Sequence, residues 1–384
     1  MLRGLIADFK AAGHSVTVLL DSRVAFYTPP FQVDDVVKIN SSGEADPSME
    51  TAAETADAAF VIAPEPNHIL QSIVDCIETT GTLSLNCKAA AIEQAADKTA
   101  LTNRAKNLGL RYPQTLSLLS SDPLKETAQT IASELGFPAV IKPASSAGCT
   151  GLSIAKNTEQ AIETIRKIKI DTAAESFLAQ EFIQGVPASV SLICMGTEAI
   201  PVSLNLQDLA LAGCEGESTY NGGAVPLEHP LRDAAFSAAK RLVESFGELR
   251  GYVGVDLTLT GDEAYVMEIN PRLTTSYVGL RKTVNFNPAQ AILGAVLKNK
   301  LPENPQCCGC SVFSKFPISG AVNQLWQEIC NVNGVVSPPF PAEGNKTPVA
   351  LLESTGPSFE DASRRLDEAK MHLTQIVARG RNSW

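Results

Sequence analysis

Long apolar runs are missing from this chain. No stretch approaches the roughly 20 residues of a membrane-spanning helix, and the amino terminus, MLRGLIADFKAAG, mixes charged with apolar residues and lacks a signal-peptide core. Positive charge is also scarce. With 31 Lys and Arg against 42 Asp and Glu, the net charge is −11, which argues against general nucleic-acid binding because phosphate backbones demand basic surface. The 9 cysteines are odd in number and scattered, so they form no disulfide framework, and a reducing cytoplasm is the expected location. The CCGC run at 307–310 packs its thiols too tightly for tetrahedral zinc and has no nearby Cys or His to complete a site; it reads as a linker. Two phosphate-binding signatures are absent as well: no GK[ST] opens a helix, and no G-x-G-x-x-G follows a first strand.

What is present describes an ordinary globular protein. The 384 residues, 44% hydrophobic and 19% charged, suffice for two or three domains with a sizeable core. Residues 1–95 alternate helix and strand, with strands expected at 16–20, 35–39 and 58–64, the rhythm of an open α/β sheet with a largely parallel core. A helix over 2–12 precedes the first of these strands, whereas a doubly wound sheet begins on a strand; either the fold opens with a helix or, the favoured expectation, a first strand lies upstream of Met1. Residues 96–176 read as a compact α+β lid: a helix at ADKTALTNRAKNLGL, strands AVIKP and LSIAK around a loop of small residues, and the helix TEQAIETIRKI. Residues 177–384 read as a second α+β unit with strands FLAQEFI, ASVSLICMG, EAIPVSLN, YVGVDLTLT and EAYVMEIN. Within it, 205–230 is rich in glycine and polar residues and is expected to be a long loop. The tail adds the strand PVALLES and a helix.

The chemistry starts at FPAVIKPASSAGCTGLSI. Lys142 ends an apolar strand and faces Ser145, Ser146, Gly148 and Gly151, a loop whose backbone N–H groups can approach a ligand closely. A compact positive charge beside such a loop suits polyphosphate; a plain hairpin with small turn residues is the alternative. Lys98, opening the preceding helix, supplies a second cation. FLAQEFIQG ends a strand where extended backbone can read an adenine edge. In YVGVDLTLTGDEAYVMEINPR, Asp256 and Glu268 fall on adjacent strands of a hairpin, and Asn270 shares a face with Glu268. A lone carboxylate is usually solvated, but Asp256 interrupts VGVDLTL and Glu268 interrupts YVMEIN, so each needs a partner. Two carboxylates and an amide oxygen are hard ligands of the kind magnesium accepts alongside phosphate.

The order of these motifs resembles the ATP-grasp superfamily, which holds ATP between two α+β subdomains. The resemblance implies an ATP-grasp fold, α/β plus α+β, with an N-terminal open α/β (pre-ATP-grasp) domain. It implies that Lys98 and Lys142 bind phosphates and that Ser145 to Gly151 form a flap. Gln180, Glu181 and Ile183 then contact adenine, partly through backbone; Asp256, Glu268 and Asn270 hold Mg2+, with Mn2+ as a substitute; and Arg272 lies near a reacting acyl phosphate. One position departs: Gly185 is followed by Val186-Pro187, where many members place a ribose-binding glutamate.

Within the superfamily, the segments MLRGLIADFKAAGHSVTVLLD, VIAPEPNHIL, ADKTALTNRA, Asn205-x-Gln207, YNGGAVP and EINPRLTTSYVGLRK are similar to the tyramine–glutamate ligases of methanofuran biosynthesis. That implies an ATP-dependent carboxylate–amine ligase joining L-glutamate to tyramine or tyrosine through an acyl phosphate. Its partners are small molecules, with a homodimer formed through the preliminary domain, and no nucleic acid or membrane. Glu65, beside His68 at a strand end, stands where an amine would meet the site, or is a solvated loop residue. Arg281 is placed to take a substrate's second carboxylate, or is an exposed helical charge. The resemblance also makes Asn205, Gln207 and Tyr220, the last in the long loop, candidates to contact substrate, and Cys149 reads as a small filler. The rival functions are another ATP-grasp reaction, such as carboxylation or a different amino-acid ligation, and a nucleotide-binding regulator without catalysis.

Overall fold

A computed structural model of the chain describes residues 1–25, 32–144, 148–172, 175–318, 322–340 and 347–381. Ser145 and Ser146 lie outside the described residues. Among the described residues no helix is long and apolar enough to cross a membrane.

The amino-terminal part has the expected parallel pairing. β1 (Thr17–Asp21) runs beside β2 (Asp35–Ile39), and β3 (Ala58–Ala59) beside β4 (Leu83–Ser84). The apolar run 58–64 keeps only two ladder residues, because a side chain takes over the next position. The amide of buried Asn86 accepts from Val61 N at 2.7 Å and donates to Val61 O at 2.9 Å, satisfying that backbone without a neighbouring strand. The Leu2–Ala11 helix sets Ile6 against Val18 and Leu20.

A four-stranded antiparallel sheet follows, made of β5 (Thr115–Leu119), β6 (Ala139–Pro143), β7 (Ser153–Ala155) and β8 (Ser176–Glu181) in the order β5–β8–β6–β7. Its core is its own: Ile131 and Ile165 from two helices meet Ile141 and Phe177 from the strands, all fully buried. This corrects the boundary expected at residue 177. Strand β8 belongs to the lid, because Phe177 and Ala179 are needed to fill that core. The crossing between lobes falls at residues 182–185 instead.

The second lobe is one eight-stranded sheet. Its strands are β9 (Val186–Met195), β10 (Ala199–Ala210), β11 (Thr219–Val225), β12 (Arg250–Leu259), β13 (Ala264–Asn270), β14 (Cys310–Pro317), β15 (Val335–Ser337) and β16 (Val349–Gly356). The order is β13–β12–β9–β10–β11–β14–β16–β15. The expected long loop at 205–230 is therefore half sheet, with β10 and β11 paired antiparallel around a shorter loop. Its glycines answer to crowding: a side chain on Gly222 would strike the Phe313 carbonyl, and one on Gly223 the Leu206 carbonyl. Likewise CCGC is not all linker, since Cys310 is buried at the start of β14. One face of this sheet shares a core with the amino-terminal helices, where Leu70, Val74 and Ile92 meet Val190, Leu192 and Val255. The core of the four-stranded sheet is separate from this one, although Leu101 and Ala105 of the helix before it pack into the body.

Candidate active site

Antiparallel pairing of β12 with β13 sets Asp256 opposite Glu268, and the two-residue period of a strand carries Asn270 to the same face. Asp256 is half-buried between buried Val255 and Leu257, which point to the opposite face. Its carboxylate accepts from Asn270 Nδ2 at 3.1 Å and from Gln207 Nε2 at 3.0 Å. Burial and the neighbouring Glu268 push its pKa up to about 6. Burial also opposes charge on Glu268, but the ammonium groups of Lys98 and Lys142 outweigh it and hold Glu268 below its ordinary value.

Both lysines reach this face from elsewhere. Lys98 is the first residue of the Lys98–Asn107 helix, whose start is fixed by Asp97 accepting from Thr99 N and Ala100 N. Its Nζ lies 2.8 Å from Glu268 Oε2. Lys142, near the end of β6, is 8% exposed. Burial and repulsion from Lys98 bring its pKa down to about 8. A buried lysine with a lowered pKa and a carboxylate with a raised one, on two facing lobes, are the electrostatics of a site that suits a charged ligand. The turn beside Lys142 is bent for close approach, with Gly148, Cys149 and Gly151 all at positive φ. Burial pushes the Cys149 thiol up, which fits a filler and not a nucleophile.

Arg272 closes the far end of the row. Its Nε donates to Glu65 Oε2 at 2.6 Å and its Nη2 to Asn270 Oδ1 at 3.2 Å. The loop carrying Glu65 is strained, since Asn67 and His68 both take the left-handed conformation, at a cost of about 1–3 kcal/mol each.

Other expected residues lie differently. β8 is flanked by β5 and β6, so backbone at Gln180 is spent on ladders, and its side chain donates to Thr115 Oγ1 at 2.9 Å. Glu181 N donates to Gln114 O at 2.9 Å. Of the three positions expected to contact adenine, only half-buried Ile183 lies in the unladdered segment. Asn205 is fully buried, bonded to the hydroxyls of Ser189, Ser191 and Ser203, and therefore structural. Arg281 also has a structural duty. Its Nη2 donates to Asp8 Oδ1 at 2.6 Å and its Nε to both Asp8 oxygens, while Tyr277 donates to Asp8 as well. That bidentate pair ties the helix carrying Arg281 to the amino-terminal helix. Tyr220 lies in β11, and Lys315 stands 5.3 Å over its ring.

One feature escaped sequence reasoning. A chain of hydroxyls runs from Ser191 through Tyr252 and Thr274 to Ser276, with contacts of 2.8, 2.8 and 2.6 Å. Its signal was Ser189 and Ser191 at strand period in ASVSLI. A cavity of about 650 Å³ elsewhere, lined by Arg3, Lys282, Glu353 and His372 among others, contains none of the row's lysines or carboxylates; charge, and not volume, marks the site.

Residues 95–276 match the family described as ATP-grasp domain, and residues 14–92 match the pre ATP-grasp 3 domain. The chain is 32% identical over 301 residues to the tyramine–L-glutamate ligase of Methanocaldococcus jannaschii, covering 78% of this chain and 81% of that one. The chain belongs to the ATP-grasp family. It is a carboxylate–amine ligase of that family, forming C–N bonds. The ATP-grasp fold is also that of solved proteins at low identity. Biotin carboxylase from Campylobacter jejuni superposes at TM-score 0.75 with 15% identity, covering 98% of this chain and 92% of that one. The L-amino acid ligase from Bacillus licheniformis superposes at 0.69 with 16% identity, covering 96% and 94%.

ATP-grasp enzymes use a divalent metal, and the donors here fit one. Asp256 and Glu268 are hard oxygen ligands side by side, and a cation beside Asp256 would offset the burial and the repulsion from Glu268 that raise its pKa. Among the described residues no three His, Cys, Asp or Glu side chains converge. Most of such a shell would come from ligand oxygens, as magnesium prefers.

Proposed function

We propose that this ligase joins a carboxylate of L-glutamate to the amine of tyramine, with ATP consumed through an acyl phosphate. The observation that carries the reading is the row Lys142, Lys98, Glu268, Asp256, Asn270, Arg272, whose charges suit a triphosphate at one end and a carboxylate at the other. The choice of acid and amine is supported by similarity to the M. jannaschii enzyme.

A carboxylate resists attack by an amine until its oxygen becomes a leaving group. Its oxygen attacks the γ-phosphorus, ADP departs, and the resulting acyl phosphate is open to the amine. Lys98 and Lys142 hold the phosphoryl oxygens and counter the charge that builds on them. Arg272 orients the acyl group and stabilises the carbonyl oxygen as it turns tetrahedral. Magnesium held by Asp256, Glu268 and Asn270, with manganese as a substitute, would supply further charge neutralisation.

The decisive assay measures ADP release with ATP and magnesium, adding L-glutamate and tyramine singly and together. Release only with the pair, along with a γ- or α-glutamyl amide by mass spectrometry, is the expected result. Dependence on bicarbonate would point to carboxylation, and ATP binding without turnover to a sensor.

Lys142 gives the site a pH signature. Its pKa of about 8 in the free protein rises when phosphates bind, so ATP affinity is full below pH 8 and declines as pH climbs above it. The dissociation constant is expected to grow up to about tenfold per pH unit there. Lys142→Arg, which stays charged, should flatten that profile in a titration from pH 7 to 9.5.

A further inference from the structure

We infer that Glu65 receives the incoming amine, an assignment that rests on the ligase reading above. The row's carboxylates each have a cation or amide partner, but Glu65 is half satisfied. Its Oε2 is taken by Arg272 at 2.6 Å, whereas Oε1 is buried with no hydrogen-bond partner among the described residues. Both side chains are largely shielded, at 13% exposure for Glu65 and 18% for Arg272. A buried anionic acceptor demands a donor, and an arriving carboxylate or phosphate would be repelled. A primary ammonium group, carrying positive charge and only donors, meets that demand.

The position agrees with the chemistry. Glu65 follows the β3 segment at its carboxyl end, where open α/β sheets present ligands. Its strained loop, with consecutive left-handed residues at Asn67 and His68, fixes the carboxylate against the guanidinium assigned to the acyl group. The ammonium passes one proton to Glu65 Oε1, and the neutral nitrogen bonds to the acyl carbon. The carbon–oxygen bond to phosphate then breaks, and the nitrogen's second proton leaves with the phosphate. Glu65 later returns its proton to solvent.

The test separates this assignment from the reading beneath it. Hydroxylamine, a neutral nucleophile near pH 7, captures an acyl phosphate as a hydroxamate without using an ammonium site. Glu65→Gln is expected to raise the tyramine KM about 10- to 100-fold, the loss of one charged hydrogen bond, and to lower amide turnover. Hydroxamate formation from L-glutamate should stay within about twofold by the same reasoning. Glu65→Asp, which keeps the charge, should fall between the two and carries the comparison if the glutamine variant does not fold. An unchanged tyramine KM overturns the assignment. Equal loss of hydroxamate and amide also overturns it, since Glu65 would then act only by holding Arg272. Wild-type protein that yields no hydroxamate at all strikes instead at the acyl-phosphate reading.

Discussion

Lys142→Met is expected to lower turnover by about 10²–10³-fold while leaving the folded state at least as stable as the wild type. The methionine keeps the buried stem and deletes only the charge. That charge is costly in the resting protein, because burial and Lys98 already bring the amine down to about 8. Its return comes when phosphoryl oxygens arrive, so its loss should appear in kcat and in ATP affinity, not in the thermal midpoint. Glu268→Gln should cost a similar factor in rate. It differs in stability, because it also breaks the 2.8 Å contact with Lys98. Steady-state kinetics beside a melting curve check both variants. Near-normal turnover in Lys142→Met would remove the phosphate site from this location.

Asp256→Asn should trade activity for stability. In the folded protein this acid titrates at about 6, against an ordinary value of 3.8. The fold therefore favours the protonated form. Stability from this group is greatest below pH 4 and is lost as pH rises toward 6; at neutral pH the penalty is about 3 kcal/mol. Asparagine removes the penalty and can keep the local hydrogen bonds, because Gln207 need only turn its amide over to accept where it now donates. The variant is expected to gain about 1–3 kcal/mol at pH 7 and nothing below pH 4, read from urea unfolding at both pH values. Turnover should fall about 10²–10³-fold with the lost ligand charge. A variant that is destabilised at pH 7 would show that Asp256 is held by partners in the resting fold, not by a nucleotide-bound cation.

Much of the site was legible because strands write their faces into the sequence. Asp256 inside VGVDLTL, Glu268 inside YVMEIN and Asn270 two residues on could face one another only if 256–270 formed a hairpin, and the pairing of β12 with β13 does that. Lys142 at the end of AVIKP was readable for the same reason. The partners of Arg281 and Asn205 were not legible, because each is a polar residue in a segment of chemical interest, and nothing local reveals a partner hundreds or tens of positions away. Arg281 finds Asp8, and Asn205 finds Ser189 and Ser191. The glycines of 219–225 misled: glycine marks both loops and crowded strands, and only the neighbouring carbonyls of Phe313 and Leu206 tell which applies.

The sequence by itself determined the periodic features: apolar alternation, the hairpin that pairs two carboxylates, and the lysine at a strand end, all set by contacts within a few residues. Tertiary structure decided the matters that depend on distant surfaces. It assigned β8 to the lid because Phe177 completes that core, set Lys98 on Glu268, and joined Glu65 to Arg272 across more than half the chain. The physical reason is that burial and Coulomb energies depend on separation in space, and chain order fixes that separation only over short stretches.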